Sequence, residues 1–297
     1  MIGVDIFFVI SGFVILHTVK RSSKKATTKH FIFNRMTRIF PVYWLVSLSL
    51  LPVFFLKPGW VNSGAEHATS LIHSFLLIPH EGAPLIMVGW TLEYEMFFYV
   101  CFAVALNFVR RTPELVLIAL FMLLICIGIY FPSSSSEPIR EVMTSPLLIY
   151  FVAGMLMARY YKAIPTSNSI IAAVLIAWVV FTVNIAAYQF EEINRVLHYA
   201  PTAITTVLLF IMFEKRGVVF HKATSLWGGN ISYSLYIIHV LCISALGRLW
   251  LAYGKEYVSS EVMLLGAMLL SVVCATVMYS YFEKPVIKAI RNINSKV

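Results

Sequence analysis

The chain has 297 residues, 60% of them apolar and only 12% charged, where soluble domains carry about a quarter charged residues. Its apolar runs demand more interior than one soluble domain offers, and many have the length of a bilayer crossing. The formal charge of +9 does not mark a nucleic-acid partner, because the basic residues sit in short links between apolar runs.

Taken in chain order, nine segments read as membrane helices: 4–19, 39–57, 89–109, 114–131, 146–161, 170–187, 199–213, 229–250 and 262–282. The run "SLIHSFLLIP" at 70–79 is too short to cross and reads as interfacial or re-entrant. Turn signals agree: "FPSSSSEP" follows residue 130, "PTSNS" stands at 165–169, and Pro113, Pro146 and Pro201 lie near helix starts. The expected fold class is an all-α, polytopic transmembrane helical bundle in one domain, 1–297. Cys101, Cys126, Cys242 and Cys274 are isolated, with neither CxxC spacing nor the density of a secreted scaffold. No HExxH or comparable pattern calls for a metal, and no glycine-rich motif supports a soluble nucleotide fold.

The charges give the topology. One set of alternate links holds Lys20, Arg21, Lys24, Lys25, Lys29, Arg35, Arg38, Arg110, Arg111, Arg159, Lys162, Lys215, Arg216, Lys222, Lys284, Lys288, Arg291 and Lys296. Of the 23 lysines and arginines, only Lys57, Arg140, Arg195, Arg248 and Lys255 fall on the other side. The positive-inside rule assigns the first set, and with it the C-terminus, to the cytoplasm. An odd number of spans then leaves Met1 outside with no signal peptide before it. An additional helix upstream, entering from the cytoplasm, would remove that difficulty.

Four blocks can carry chemistry. In "FIFNRMTRIFPVYW", 31–44, Arg35 and Arg38 share a helical face at the cytoplasmic edge, and Pro41 can kink or start the following span. They suit headgroup anchoring, or a bidentate grip on donor phosphates. In "GWTLEYEMFFYV", 89–100, Glu93 and Glu95 stand near the outer start of a helix on different faces. Glu95 and Tyr99, four apart, can cooperate, while Glu93 is free to point to headgroups or water. A desolvated Glu95 suits a base or a residue that orients one; a structural hydrogen bond or ion pair is the plain alternative. Asp5, near the start of "MIGVDIFFV", invites the same argument.

The late block "GGNISYSLYIIHV", 228–240, combines a Gly-Gly turn, a helix start at Asn230 or Ser232, and Tyr236 three residues before His239. An intramembrane histidine usually packs as a neutral hydrogen-bonding group, but it can transfer protons where it meets an acid or a cavity. "YFEKPVIK", 281–288, reads as a helix stop at Pro285 with a basic anchor.

Together "GVDIFFVISGFVI", "FNRMTRIFPVYW", "WTLEYEMFFY", "NISYSLYIIH" and "YFEKP", in this order and spacing, resemble the membrane acyltransferase 3 family, and most of all bacterial exopolysaccharide-production acyltransferases. The resemblance implies about ten membrane helices in a bacterial inner membrane, and transfer of an acyl group to a sugar hydroxyl of an exopolysaccharide or envelope glycan, free or lipid-linked. The acyl group is often acetyl, with acetyl-CoA or another acyl-CoA as donor substrate and no bound cofactor. It implies donor binding by Arg35 and Arg38, catalytic work at Glu95, Tyr99 and His239, and further functional positions at Asp5, Trp90 and Tyr236. It also implies a first helix before Met1, with a basic entrance and a histidine that no residue of this chain replaces. Without that histidine, activity is expected to be slight. The rival functions are a non-enzymatic polysaccharide transport or assembly protein and an inactive family fragment.

Single cysteines placed at Lys24 and at Lys255, in an otherwise cysteine-free chain, should react with an impermeant maleimide on opposite faces of the membrane. Labelling from the same face would contradict the topology.

Overall fold

The computed structural model describes residues 2–21, 27–61, 68–109, 111–134, 136–187, 192–218 and 221–294. Met1, Lys24, Lys25, Arg110 and Lys296, named above, lie outside the described residues. Among the described residues every regular element is helical: α1 Ile2–Arg21, α2 Thr28–Leu56, α3 Leu71–Leu76, α4 Gly89–Phe108, α5 Pro113–Tyr130, α6 Pro138–Thr144, α7 Leu148–Arg159, α8 Asn168–Ala187, α9 Glu192–Lys215, α10 Lys222–Leu249, α11 Ser260–Met278 and α12 Lys284–Asn294. Eight helical stretches among them are long and apolar enough to cross a membrane. The ninth expected segment forms α4, a helix of 20 residues that carries Glu93 and Glu95 and is not among those eight.

Three expected boundaries move. Pro41 does not start a span, because α2 runs unbroken from Thr28 with Pro41 and Pro52 inside it. Pro41 deletes the N–H that would serve the Thr37 carbonyl, and two residues further on the Ile39 carbonyl accepts from Tyr233 at 2.8 Å. Pro201 likewise lies within α9 rather than at its start, which brings Arg195 onto the helix. The Gly-Gly pair is no turn: α10 begins at Lys222 and passes through Gly228 and Gly229. Helical glycines cost about 1 kcal/mol each relative to alanine, a penalty that the long helix absorbs.

The chain divides into two compact units, Met1–Ile32 with Glu93–Val219, and Phe33–Leu92 with Phe220–Val297. In the first, α1 and α7 meet backbone to backbone at two glycines. A Cβ on Gly12 would stand 2.4 Å from the Phe151 carbonyl oxygen, and one on Gly154 only 2.1 Å from that of Val9. Small residues permit such approach, which brings dispersion contacts that lipid cannot supply as closely. Around it Phe8, Phe98 and Phe151 are fully buried, with ring centroids 4.9 Å apart for Phe8 and Phe151 and 4.6 Å for Phe98 and Phe151.

One end of this unit is held by charge. Glu114, fully buried at the start of α5, accepts Lys20 from the end of α1 at 2.9 Å and Arg159 from the end of α7 at 2.6 Å. Lys215, closing α9, donates to the carbonyls of Tyr161 and Ile164. The ends of α1, α7 and α9 that carry basic residues are thus tied to one another or to the link beyond α7, as the alternation of charged loops requires. Asp5 and Arg195, at the other ends of α1 and α9, form a second ion pair at 3.0 Å.

In the second unit the 70–79 run forms α3, and its position decides between the two expectations. Tyr43 donates to the Ser74 carbonyl at 2.8 Å and Trp44 to that of Phe75 at 2.9 Å. Tyr43 lies 13 residues before the end of α2, about 20 Å at 1.5 Å per residue. The segment therefore folds back alongside α2 and is re-entrant. Leu77 ends α3 with φ 54° and ψ 45°, a conformation a branched side chain adopts only when held. His73 and His80 stack at 5.4 Å across the bend, and burial pushes the His80 imidazole below its usual pKa.

Gly154→Ala should cost about 1–3 kcal/mol through forced separation of α1 and α7, seen as a lower melting temperature in detergent. Gly3→Ala, with nothing within 4 Å of the new carbon, should be neutral. Equal melting of the two variants would contradict this packing.

Candidate functional site

Glu95 is 6% exposed. Ser11 of α1 donates to its Oε1 at 2.8 Å, and the Tyr99 hydroxyl, one turn further along α4, donates to the same oxygen. Both donors converge on Oε1. Tyr99 is itself fixed by an edge-on contact with Phe31 at 6.0 Å. Ser11 stands near the middle of the 20-residue α1, about 14 Å from either end. Glu95 is the seventh residue of α4, near the helix start that its place in the sequence suggested, and it meets α1 at that helix's middle.

Glu93 corrects an expectation. It does not reach headgroups or water: it is 7% exposed, and its Oε1 has no hydrogen-bond partner among the described residues. Glu141 of α6 is close enough to act on it electrostatically. Asp5 is fully buried against Arg195, while its Oδ2 has no hydrogen-bond partner among the described residues.

In the other unit Arg35 is half-buried and Arg38 exposed on α2. A guanidinium near a membrane edge can reach water, so it escapes the desolvation that forces a carboxylate at mid-depth to find donors. Arg38 nevertheless acts electrostatically on Glu283, which is 4% exposed and accepts a hydrogen bond from Ser234 of α10. Glu283 closes a π-helical turn, Tyr279–Glu283, and Pro285 is the second residue of the helix that follows. The expected stop at Pro285 is therefore absent, because its missing N–H falls where the wider turn has already broken the α-helical ladder.

Tyr236 uses its hydroxyl on the Thr91 hydroxyl and the Val88 carbonyl, close to half-buried Trp90 in the sequence. The His239 Nδ1 bonds the carbonyls of Tyr236 at 2.7 Å and Leu235 at 3.2 Å. A carbonyl only accepts, so a neutral His239 carries its proton on Nδ1 and its basic lone pair on Nε2. Tyr236 and His239 are adjacent, with ring centroids 5.9 Å apart, but each is held by other partners.

Sequence reasoning missed Ser11, Arg195, Ser234 and Glu283 as partners of buried acids. Ser234 and Glu283 stood inside quoted blocks, yet serine and a glutamate before Lys-Pro carry no signal of mutual contact. Arg195 looked like one of five scattered outer charges, and nothing in the sequence singled it out as the partner of Asp5.

A family model described as an acyltransferase domain matches residues 1–281. The exopolysaccharide production protein ExoZ of Rhizobium meliloti (strain 1021) is 29% identical over 300 residues, covering 96% of this chain and 89% of that protein. No solved structure matches the chain.

Removing both donors to Glu95, by Ser11→Ala with Tyr99→Phe, should cost about 1–3 kcal/mol as a buried acceptor loses its partners. Differential scanning of the purified protein checks it; an unchanged melting temperature would show that neither bond contributes.

Proposed function

The chain belongs to the acyltransferase 3 family, and from that premise we propose that it transfers an acyl group, acetyl from acetyl-CoA, to a sugar hydroxyl of an exopolysaccharide or envelope glycan. The observation that carries the proposal is the Glu95 carboxylate, buried at the mid-depth of α1 with two donors on one oxygen. The name of the Rhizobium relative points to the same polymer class.

In the proposed reaction, residues 1–297 work as one integral membrane domain of a bacterial inner membrane. The basic helix ends and the C-terminus face the cytoplasm, and the nine helical segments span. Arg35 and Arg38 hold the phosphates of the acyl-CoA at that face. Glu95 takes the proton of the acceptor hydroxyl through Oε2 as the new C–O bond forms at the thioester carbonyl. Ser11 and Tyr99 keep the carboxylate oriented. Collapse of the tetrahedral adduct breaks the C–S bond, and the departing CoA thiolate recovers a proton. His239, with its lone pair on Nε2, is the second candidate for the base; Tyr236 and Trp90 shape its surroundings.

General-base chemistry contributes roughly 10²–10⁴-fold. Glu95→Gln, which keeps the side chain's size, should therefore lower glycan ester content at least about a hundredfold while the protein level holds. NMR of the secreted polymer measures the ester. Unchanged ester would remove Glu95 from the chemistry. Loss of the polymer itself on gene deletion, with esters normal on what remains, would instead favour a transport or assembly role.

A further inference from the structure

We infer that α12, Lys284–Asn294, is a docking surface for anionic lipid. It lies along the cytoplasmic headgroup layer, with its cations on lipid phosphates and its apolar face toward the acyl chains. The C-terminus faces inward as proposed above, and no step of acyl transfer is involved.

The sequence of α12, KPVIKAIRNIN, separates two faces. At about 100° per residue, Lys284, Lys288 and Arg291 fall within an arc of about 60°. Val286, Ile287, Ile290 and Ile293 fall within another, of about 120°, that the cations do not enter. No acid interrupts the helix, whereas α11 before it carries apolar residues on every side.

Both faces are open. Lys284, Lys288 and Arg291 are exposed, and among the described residues none of them forms an ion pair. Val286, Ile287 and Ile290 are half-buried and Ile293 is 69% exposed, so protein encloses none of the four. Apart from the π-helical turn that it continues, α12 packs closely along no other described helix.

Its place in the chain brings it to the membrane surface. Helix runs from Ser260 to Asn294, with the π-helical turn Tyr279–Glu283 inside it. Twenty residues cover about 30 Å, the thickness of the hydrocarbon core. Counted from Ser260, the π-helical turn falls at the membrane edge and α12 just beyond it. That joint holds both a π-helical turn and Pro285, two features at which helices bend. A bend there lays α12 in the plane, where all three cations reach headgroups. A straight continuation would put Arg291 about 10 Å further out than Lys284 and leave the isoleucines in water.

Charge decides the occupant. Three cations without an acid fit a surface of phosphates, and an apolar arc beside them fits acyl chains. A soluble nucleotide would engage the cations but leave the isoleucines wet. Cytoplasmic leaflets carry anionic lipid, which is worth roughly a fivefold gain in partition for each Lys or Arg near the surface. Lipid held there also steadies the root of α12, where Glu283 accepts from Ser234.

The test places a bimane label through Ile293→Cys in the purified 297-residue chain, otherwise cysteine-free, in lipid nanodiscs. One set is phosphatidylcholine alone; the other contains phosphatidylglycerol in both leaflets, which makes the readout independent of topology. With phosphatidylglycerol, quenching by acrylamide should fall about fivefold, and quenching by doxyl-labelled acyl chains should rise. Salt at about 1 M, where the Debye length is about 3 Å, should reverse both changes. Lys284→Gln, Lys288→Gln and Arg291→Gln together should reverse them too; the salt arm needs no substitution, should that variant fold poorly. A label open to acrylamide in both lipids would show α12 standing in water. One shielded equally in both would show protein or neutral lipid covering it, and either result would overturn the inference. Shielding that requires phosphatidylglycerol, in a chain that forms no glycan ester, would leave the docking surface standing and sink the acyl-transfer reading instead.

Discussion

A carboxylate buried against the middle of a membrane helix is the constraint around which the first unit is arranged. Charge at that depth is costly unless donors are already in place, and Glu95 has two, Ser11 and Tyr99, on one oxygen. For Ser11 to reach it, α1 must lie against α4; for Tyr99 to reach it, one turn of α4 must be fixed by Phe31. The close approach of α1 to α7 through Gly12 and Gly154 holds α1 where the serine is needed. Packing and polar satisfaction are here the same requirement.

The unit is polar along its length in an ordered way. Glu114 gathers Lys20 and Arg159 at one end, Glu95 sits midway, and Asp5 with Arg195 occupies the other end. The first acid has both cations it needs, and the second has its hydroxyls. Among the described residues, buried polar atoms without a hydrogen bond occur at both ends: Glu114 Oε2 and Arg159 Nε at the first, Asp5 Oδ2 and Arg195 Nε at the other. The second unit shows a related economy: the Ser234–Glu283 bond joins the first half of α10 to the π-helical turn that follows α11, with Arg38 near enough to balance the charge.

Much of this was legible in the sequence. The apolar run lengths located every long helix, and the spacing of Glu95 and Tyr99 announced their contact, because four residues is one helical turn. Boundaries were less legible wherever proline or glycine fell inside a long helix. Pro41, Pro201 and the Gly228–Gly229 pair are breakers by local propensity, and each is overridden by the length of helix on either side. Long-range partners were not legible at all. Ser11, 84 residues from Glu95, carries no periodic signal of that contact. Nor does anything in the sequence announce the bond from Tyr43 to the Ser74 carbonyl, 31 residues on, that lays α3 beside α2.

The most direct measurement is a cryo-electron microscopy map of the protein in lipid nanodiscs, at a resolution that shows side chains. The account predicts the Glu95 carboxylate midway between the two headgroup layers, within hydrogen-bonding distance of Ser11 and Tyr99. A Glu95 side chain found at either headgroup layer, or turned away from Ser11 toward lipid, would contradict it.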